Sequence, residues 1–329
     1  MSVGRVRVLH DREAAAAHGV PGHPESPARL VAVLERLAGD PELAGLSLEA
    51  ATPADPAVVG RVHTAAHIRA VAAAAAGGGR WIDADTYCTP GSYRAALHAV
   101  GAAVAGVRQV LDGPASAALA LVRPPGHHAT RERAMGFCLF NNAAIAVRSA
   151  QAEAGVGRVA IIDIDVHHGN GTQDIFYDDP AVLYCSLHQL PLYPGSGLAA
   201  ETGGPDAVGT TLNCPLAPGT GDDEWLAAFD ATVAPAVRRH RPELLVVSAG
   251  YDAHAADPLA GLRLSTRAYH AIGRRVAALA GELCAGRSLW LLEGGYDLPA
   301  LAASVDNTVR ALAGLAALPQ APVRPAPGA

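Results

Sequence analysis

Lysine is absent from this 329-residue chain: all 25 of its basic side chains are arginine. That excludes a Schiff-base lysine of the aldolase or pyridoxal phosphate kind. It also excludes a phosphate-binding loop ending in Gly-Lys-Ser/Thr. Amine-directed acylation has no side chain to act on. Basic charge is also thinly spread. The net charge is −6, and the densest arginine cluster is Arg238, Arg239 and Arg241. Without a basic stripe there is no electrostatic footprint for direct nucleic-acid binding. Paired cysteines are missing as well. The five thiols, at Cys88, Cys138, Cys185, Cys214 and Cys284, are odd in number, widely spaced and without a Cys-x-x-Cys. They read as reduced side chains of a cytoplasmic protein. No apolar run reaches membrane-spanning length, and residues 1–10, with two arginines in a short alternating stretch, read as neither a signal peptide nor a span.

What is present suits one large core. Half of the residues are hydrophobic. The 35 glycines and 24 prolines predict long, ordered loops. Residues 3–9 alternate Val and Arg and predict an edge strand. Helices are expected over 26–38, 55–76 and 91–112. Beyond that the chain becomes rhythmic. Apolar runs at 117–122, 158–164, 182–187, 243–249 and 288–292 predict strands, and helical patterns at 138–154, 222–240, 266–284 and 298–317 follow most of them. Apolar strands alternating with helices imply a parallel sheet covered on both faces. No linker divides the chain, so a single α/β domain is expected over 1–318, with a Pro/Ala-rich tail at 319–329 expected to fray.

In open parallel α/β sheets, ligands bind at the carboxyl ends of the strands. Each of the five apolar runs leads there into polar groups. The run at 117–122 leads to His127-His128, and 158–164 to Asp163, Asp165, His167, His168 and Asn170. The run at 182–187 leads to His188, 243–249 to Asp252 and His254, and 288–292 to Glu293, Tyr296 and Asp297. Asp165 and His167, two apart in an extended segment, point to one side. An oxygen and a neutral imidazole so placed make half of a Zn²⁺ site. Alone, an Asp-x-His is more simply a solvated acid and a satisfied loop histidine. Its company favours a metal, with Asp252 as third ligand and a fourth position open to water. The His127-His128 pair, after a rigid Pro-Pro-Gly turn, suits acid–base catalysis if each ring has an orienting partner, and Asp163 and Asn170 are available. Tyr296 follows two glycines that permit close backbone approach and mobility, and its phenol can donate to a developing oxyanion. Aromatics are only 5% of the chain, so Phe137 and Tyr193 in glycine-flanked loops suggest the walls of a narrow slot. Ordinary loop packing is the alternative.

The strings RPPGHHA (123–129), GFCLFNNAA (136–144), DIDVHHGNGTQDIFY (163–177), SLH (186–188), YPGSG (193–197), SAGYDAHAADPLAG (248–261) and LEGGYDL (292–298) resemble the histone deacetylase superfamily. HPESPAR (23–29) does so too, and the likeness runs in family order from about residue 10 to about 310. Asn170 is similar to class II and bacterial deacetylase-like amidohydrolases rather than to class I.

The resemblance implies the arginase/deacetylase fold, with a central eight-stranded parallel sheet, and hydrolysis of N-acyl amides, typically acetyl-lysine. It places Asp165, His167 and Asp252 on the metal ligands, for Zn²⁺ with Fe²⁺ as an alternative. His127 and His128 fall on the tandem histidines, His128 as general base. Asp163 and Asn170 fall on their partners, and Tyr296 on the catalytic tyrosine. Gly136, Phe137 and Tyr193 fall on the acyl-lysine tunnel, Tyr193 replacing the more usual Phe. Leu259 falls at the tunnel mouth, Asp85 on the rim and Arg29 behind the site. A structural K⁺ near Asp163, Asp165, His167, Ser186 and Leu187 is also implied.

Three rival readings accompany this one. An arginase-type ureohydrolase would need two further carboxylates where Gly169 and His254 stand, so one metal is expected. An acetylpolyamine amidohydrolase shares the chemistry, but class II-type relatives of that preference place a carboxylate where this chain has Leu259. An inactive binding protein would not need every catalytic group. The expected partner is thus an acylated lysine or a small acylated amine, with no membrane and with a homo-oligomer left open.

Overall fold

The computed structural model describes residues 3–319; the rest of the tail expected at 319–329 lies outside the described residues. Among the described residues ten strands are formed: β1 Val6–His10, β2 Ser47–Ala50, β3 Arg80–Trp81, β4 Tyr87–Cys88, β5 Ala117–Leu121, β6 Val159–Asp163, β7 Val182–Gln189, β8 Thr211–Leu216, β9 Leu244–Ala249 and β10 Ser288–Leu292. Eight of them make one sheet in the order β2-β1-β5-β10-β9-β6-β7-β8, every pairing parallel. β3 and β4 form a separate antiparallel ribbon.

The central strands are buried along their whole length, which is why they read as continuous apolar runs rather than alternating ones. Alternate residues still go to opposite faces. Leu119 and Ile162 join one core with Val33, Trp225, Ile272 and Val305. Ala118 and Ile161 join the other, with Val100, Val107 and Ile145. Helices Ala28–Gly39, Thr266–Leu283 and Leu298–Ala313 thus cover one face, and Ser92–Leu111 and Asn142–Ala154 the other.

Several expectations are corrected. The strand expected at 3–9 is Val6–His10 and is not an edge, because β2 pairs outside it. β8 was not expected at all; its Pro215 is tolerated because β8 is the opposite edge. The helix expected over 55–76 is two, Pro56–Val59 and Ala65–Ala76. Thr64 opens the second by accepting a hydrogen bond from His67 N–H. The helix expected from 138 begins at Asn142, capped by Asn141. The one expected over 222–240 contains a widened turn at Phe229–Val233 just before Pro235, where a proline lacks the N–H that the ladder needs. The last helix stops at Ala313, not 317, because Gly314 adopts φ 80°.

Strand register aligns the carboxyl ends. Asp163 stands beside both Ser186 and Ser248, and Leu292 beside Ala249. The segments leaving β5, β6, β9 and β10 therefore emerge side by side at one edge of the sheet.

Candidate active site

Asp165 and His167 lie in the turn between β6 and the helix Asn170–Phe176, and Asp252 lies three residues past β9. One ligand atom from each falls within 4.8 Å of the others. His167 Nδ1 is 3.0 Å from Asp165 Oδ1 and 3.3 Å from Asp252 Oδ2. The backbone fixes the two acids: Gly294 N–H donates to Asp165 Oδ2 (2.8 Å) and Val166 N–H to Asp252 Oδ1 (2.9 Å). Asp252 Oδ2, fully buried, accepts no hydrogen bond among the described residues. Two buried carboxylates and an unused oxygen make a suitable seat for a cation. The imidazole sits in the same negative field. Burial opposes a charge on His167, yet Asp165 and Asp252 outweigh it and push the group up to about 10. An O,N,O donor set with one oxygen unused fits a single divalent metal.

The tandem histidines sit beside this triad, their ring centroids 4.0 Å apart. His127 Nδ1 meets Asp163 Oδ2 at 3.0 Å, and His128 Nδ1 meets Asn170 Oδ1 at 2.8 Å. One ring thus has a carboxylate partner and its neighbour a neutral amide. Burial disfavours a proton on both. For His127 the charges of Asp163 and Asp165 reverse that, to about 10. For His128 burial is reinforced by His127 and His167, and its affinity for a proton falls well below the usual range. Glu293, named at its strand end but given no role from sequence, holds the turn itself: its Oε2 accepts from Gly126 N–H (2.7 Å) and His127 N–H (3.2 Å).

The walls are built from strained and close-packed loops. Gly136 has φ 55°, and a Cβ there would collide with the His128 ring. Phe137 has φ 67°, uncommon for a non-glycine residue, and its N–H donates to Thr86 Oγ1 (3.1 Å). Its ring stands edge-on to Tyr296 at 5.9 Å. On the other side Tyr193 stands edge-on to His128 at 5.1 Å. Between them is a cavity of about 230 Å³. Asp85, Gly136, Phe137, Tyr193 and Leu259 all line it, as do His127, His128, His167 and Tyr296. Pro125, Leu192 and Gly294 line it too and were not expected there; Pro125, in the Pro-Pro-Gly turn, and Gly294, in the Gly-Gly pair, carried a signal, and Leu192 did not. A larger depression of about 440 Å³ beside Arg36, Asp40 and Arg310 lies elsewhere and is lined by ion-paired side chains.

The Gly294-Gly295 pair permits close approach rather than freedom. A Cβ on Gly294 would collide with Asp252 Oδ2. The segment is tied throughout. Gly294 C=O accepts from Tyr251 N–H (3.0 Å), Gly295 C=O from Arg29 Nε (2.6 Å), and Tyr296 N–H donates to Asp257 Oδ2 (2.7 Å). Arg29 is buried, with its guanidinium carbon 5.0 Å from the Tyr296 ring centroid. It shares the buried carboxylate of Glu25 with Arg123. Glu25 and Arg123 were not singled out from sequence, although a buried arginine needs a buried partner. His188 does not reach the cavity. It is an internal residue of β7, and its ring meets Ser186 Oγ (2.9 Å) and Gly197 C=O (3.0 Å). His254 meets Thr266 Oγ1 at 3.0 Å.

Comparison with known proteins agrees with this geometry. A family model described as "Histone deacetylase domain" matches residues 23–312. "Histone deacetylase 10, chloroplastic" of Oryza sativa subsp. japonica is 42% identical over 324 residues, covering 93% of this chain and 73% of that one. "Histone deacetylase-like amidohydrolase" of Pseudomonas aeruginosa is 42% identical over 277 residues, covering 84% and 73%. The crystal structure of the HDA15 HD domain superposes with a TM-score of 0.90 at 37% identity, covering 97% of this chain and 91% of that one.

Proposed function

The chain belongs to the histone deacetylase family, and from that premise we propose that it is a single-metal deacylase that removes the acetyl group from the side-chain amide of acetyl-lysine. The observation that carries the reading is the convergence of Asp165, His167 and Asp252 at a narrow cavity walled by Phe137 and Tyr193 and faced by two tandem imidazoles. Zn²⁺, or Fe²⁺ in its place, would be held by that triad and would supply Lewis-acid polarisation of the amide carbonyl and acidification of a water.

The chain's own groups supply the rest. Asn170 Oδ1 can only accept from His128 Nδ1–H, which leaves Nε2 with a free lone pair. His128 is therefore the general base, and its neutral partner does not stabilise the imidazolium. The carboxylate of Asp163 does so for His127, which keeps a proton on Nε2 for the developing oxyanion. The Tyr296 hydroxyl, across the cavity, donates a second hydrogen bond to that oxygen. The departing amine takes its proton from the histidine pair. Phe137 and Tyr193 exclude water from the aliphatic stem of the substrate. A structural K⁺ near Asp163, Asp165, His167, Ser186 and Leu187 belongs to the same proposal; Asp163 and Ser186 are register neighbours there.

Acetyl-lysine is preferred over acetylpolyamine because Leu259 gives the mouth an apolar contact rather than a carboxylate, while Asp85 can accept a peptide N–H at the rim. The test is turnover of an acetyl-lysine peptide, acetyl-putrescine and acetyl-spermine by protein of defined metal content. The peptide is expected to have the highest kcat/KM. A preference for either amine would overturn the substrate, and no hydrolysis of any acyl amide by metal-loaded protein would overturn the activity.

A further inference from the structure

Tyr296 has no side-chain hydrogen bond of its own among the described residues, so its phenol is aimed by its backbone and by the two groups its ring touches, Phe137 and Arg29. The backbone is anchored by one side chain. Asp257 Oδ2 accepts from Tyr296 N–H at 2.7 Å, and Asp257 Oδ1 accepts from Leu259 N–H at 3.0 Å. Its exposure is 8%, so water cannot readily replace either bond. The tyrosine and Leu259 are separated by 37 positions in the chain, yet both line the cavity. Asp257's own N–H is fixed to His254 C=O (2.9 Å), which ties it to the segment bearing Asp252.

We propose that Asp257 is a positioning residue that couples the mouth of the cavity to its catalytic tyrosine, one carboxylate holding the backbone of Leu259 and of Tyr296 in a fixed relation. Both of its oxygens act as acceptors. An asparagine of the same shape has one acceptor and one N–H₂ donor, so one of the two backbone N–H groups must then face a donor. Either the tyrosine or the mouth shifts. Displacement by about 1 Å costs up to 10²-fold in rate when a group must meet a transition state. The inference rests on Tyr296 acting as oxyanion donor, as set out above.

A double-mutant cycle separates the two ideas. Asp257→Asn, Tyr296→Phe and the double variant are compared on an acetyl-lysine peptide, with metal content and Tm measured alongside. Asp257→Asn is expected to lower kcat about 10- to 100-fold and to raise KM, with one metal still bound. In the Tyr296→Phe background the same change is expected to alter kcat by less than about twofold, because the phenol it aims is gone. Asp257→Ser, which leaves a single short acceptor, goes through the same cycle. Equal losses in both backgrounds, or an unchanged kcat in Asp257→Asn, would overturn the positioning role. So would loss of the folded state in both Asp257 variants, which would make it a stability residue. An unchanged kcat in Tyr296→Phe itself would instead overturn the proposed mechanism.

Discussion

Neighbouring residues of one type are given opposite proton affinities here by their surroundings. His127 and His128 have identical side chains, but the atom behind each ring differs, a carboxylate oxygen of Asp163 or an amide oxygen of Asn170. The partner fixes which nitrogen carries the proton and how readily the ring holds a second one. Tyr296 completes the set from the opposite wall. Tyr296→Phe removes one hydroxyl and nothing else of the packing against Phe137 and Arg29. Its kcat is expected to fall by about 10²–10³-fold, with metal content and KM nearly unchanged in steady-state assays. At the metal, Asp252→Ala removes the buried oxygen that has no hydrogen-bond partner. Elemental analysis is expected to find about one divalent ion per chain in the parent and little in the variant. Retention of the ion would show that Asp165 and His167 suffice.

At the scale of elements, legibility followed burial. β5, β6, β9 and β10 are enclosed on both faces, so their sequences had to be continuously apolar and were readable as strands. β2 and β8 are edges. Ser47–Ala50 is at best half-buried and Thr211–Leu216 contains Asn213 and Pro215, so neither has the pattern that marks a strand. The site was legible for a related reason. Its ligands and acids follow the readable strands directly, whereas Glu293 and Asp257 hold backbone N–H groups, and Glu25 the Arg123 guanidinium, far away in the chain, pairings that no local spacing encodes. The break at Gly60–Thr64 and the start at Asn142 depended on capping side chains inside an otherwise helical pattern. Asn141 tests how much such a cap matters. Its Oδ1 accepts from Ala144 N–H (2.9 Å), while its Nδ2 reaches Ala129 C=O (3.2 Å) and Thr172 Oγ1 (3.1 Å). It thereby joins the helix to the loop after the tandem histidines. Asn141→Ala is expected to lower stability by about 2 kcal/mol, the upper end for a cap, in urea unfolding. A loss near zero would mean that the helix is held by its packing alone.

At the scale of the whole molecule, the fold buries many imidazoles that must stay neutral, and acid stability follows from that. His63 shows the reason. Its Nε2 accepts from the backbone N–H of Asn141 at 2.8 Å, so a protonated ring would turn a donor toward a donor. Burial, then the facing His67 and the charge of Arg131, lower its proton affinity to about 3, while the nearby backbone of Arg131 and Thr130 acts the other way. His67 itself is lowered by burial. The unfolded chain binds a proton at such a site near pH 6.5, its ordinary value. Between about 3 and 6.5 the unfolded state therefore carries more protons than the native one, and stability rises with pH across that window. The contribution of His63 is fully present above pH 6.5 and is lost as pH falls toward 3. At pH 5 one such histidine withdraws on the order of 2 kcal/mol. Urea unfolding at pH 7.5 and pH 5.0 should show this loss in the parent. His63→Gln can still accept from Asn141 N–H but does not titrate, so its drop between the two pH values is expected to be smaller by about that amount. A parent whose stability is flat between the two values, or a variant with an undiminished drop, would show that the native state admits the proton and that neutrality at this position is not what the fold requires.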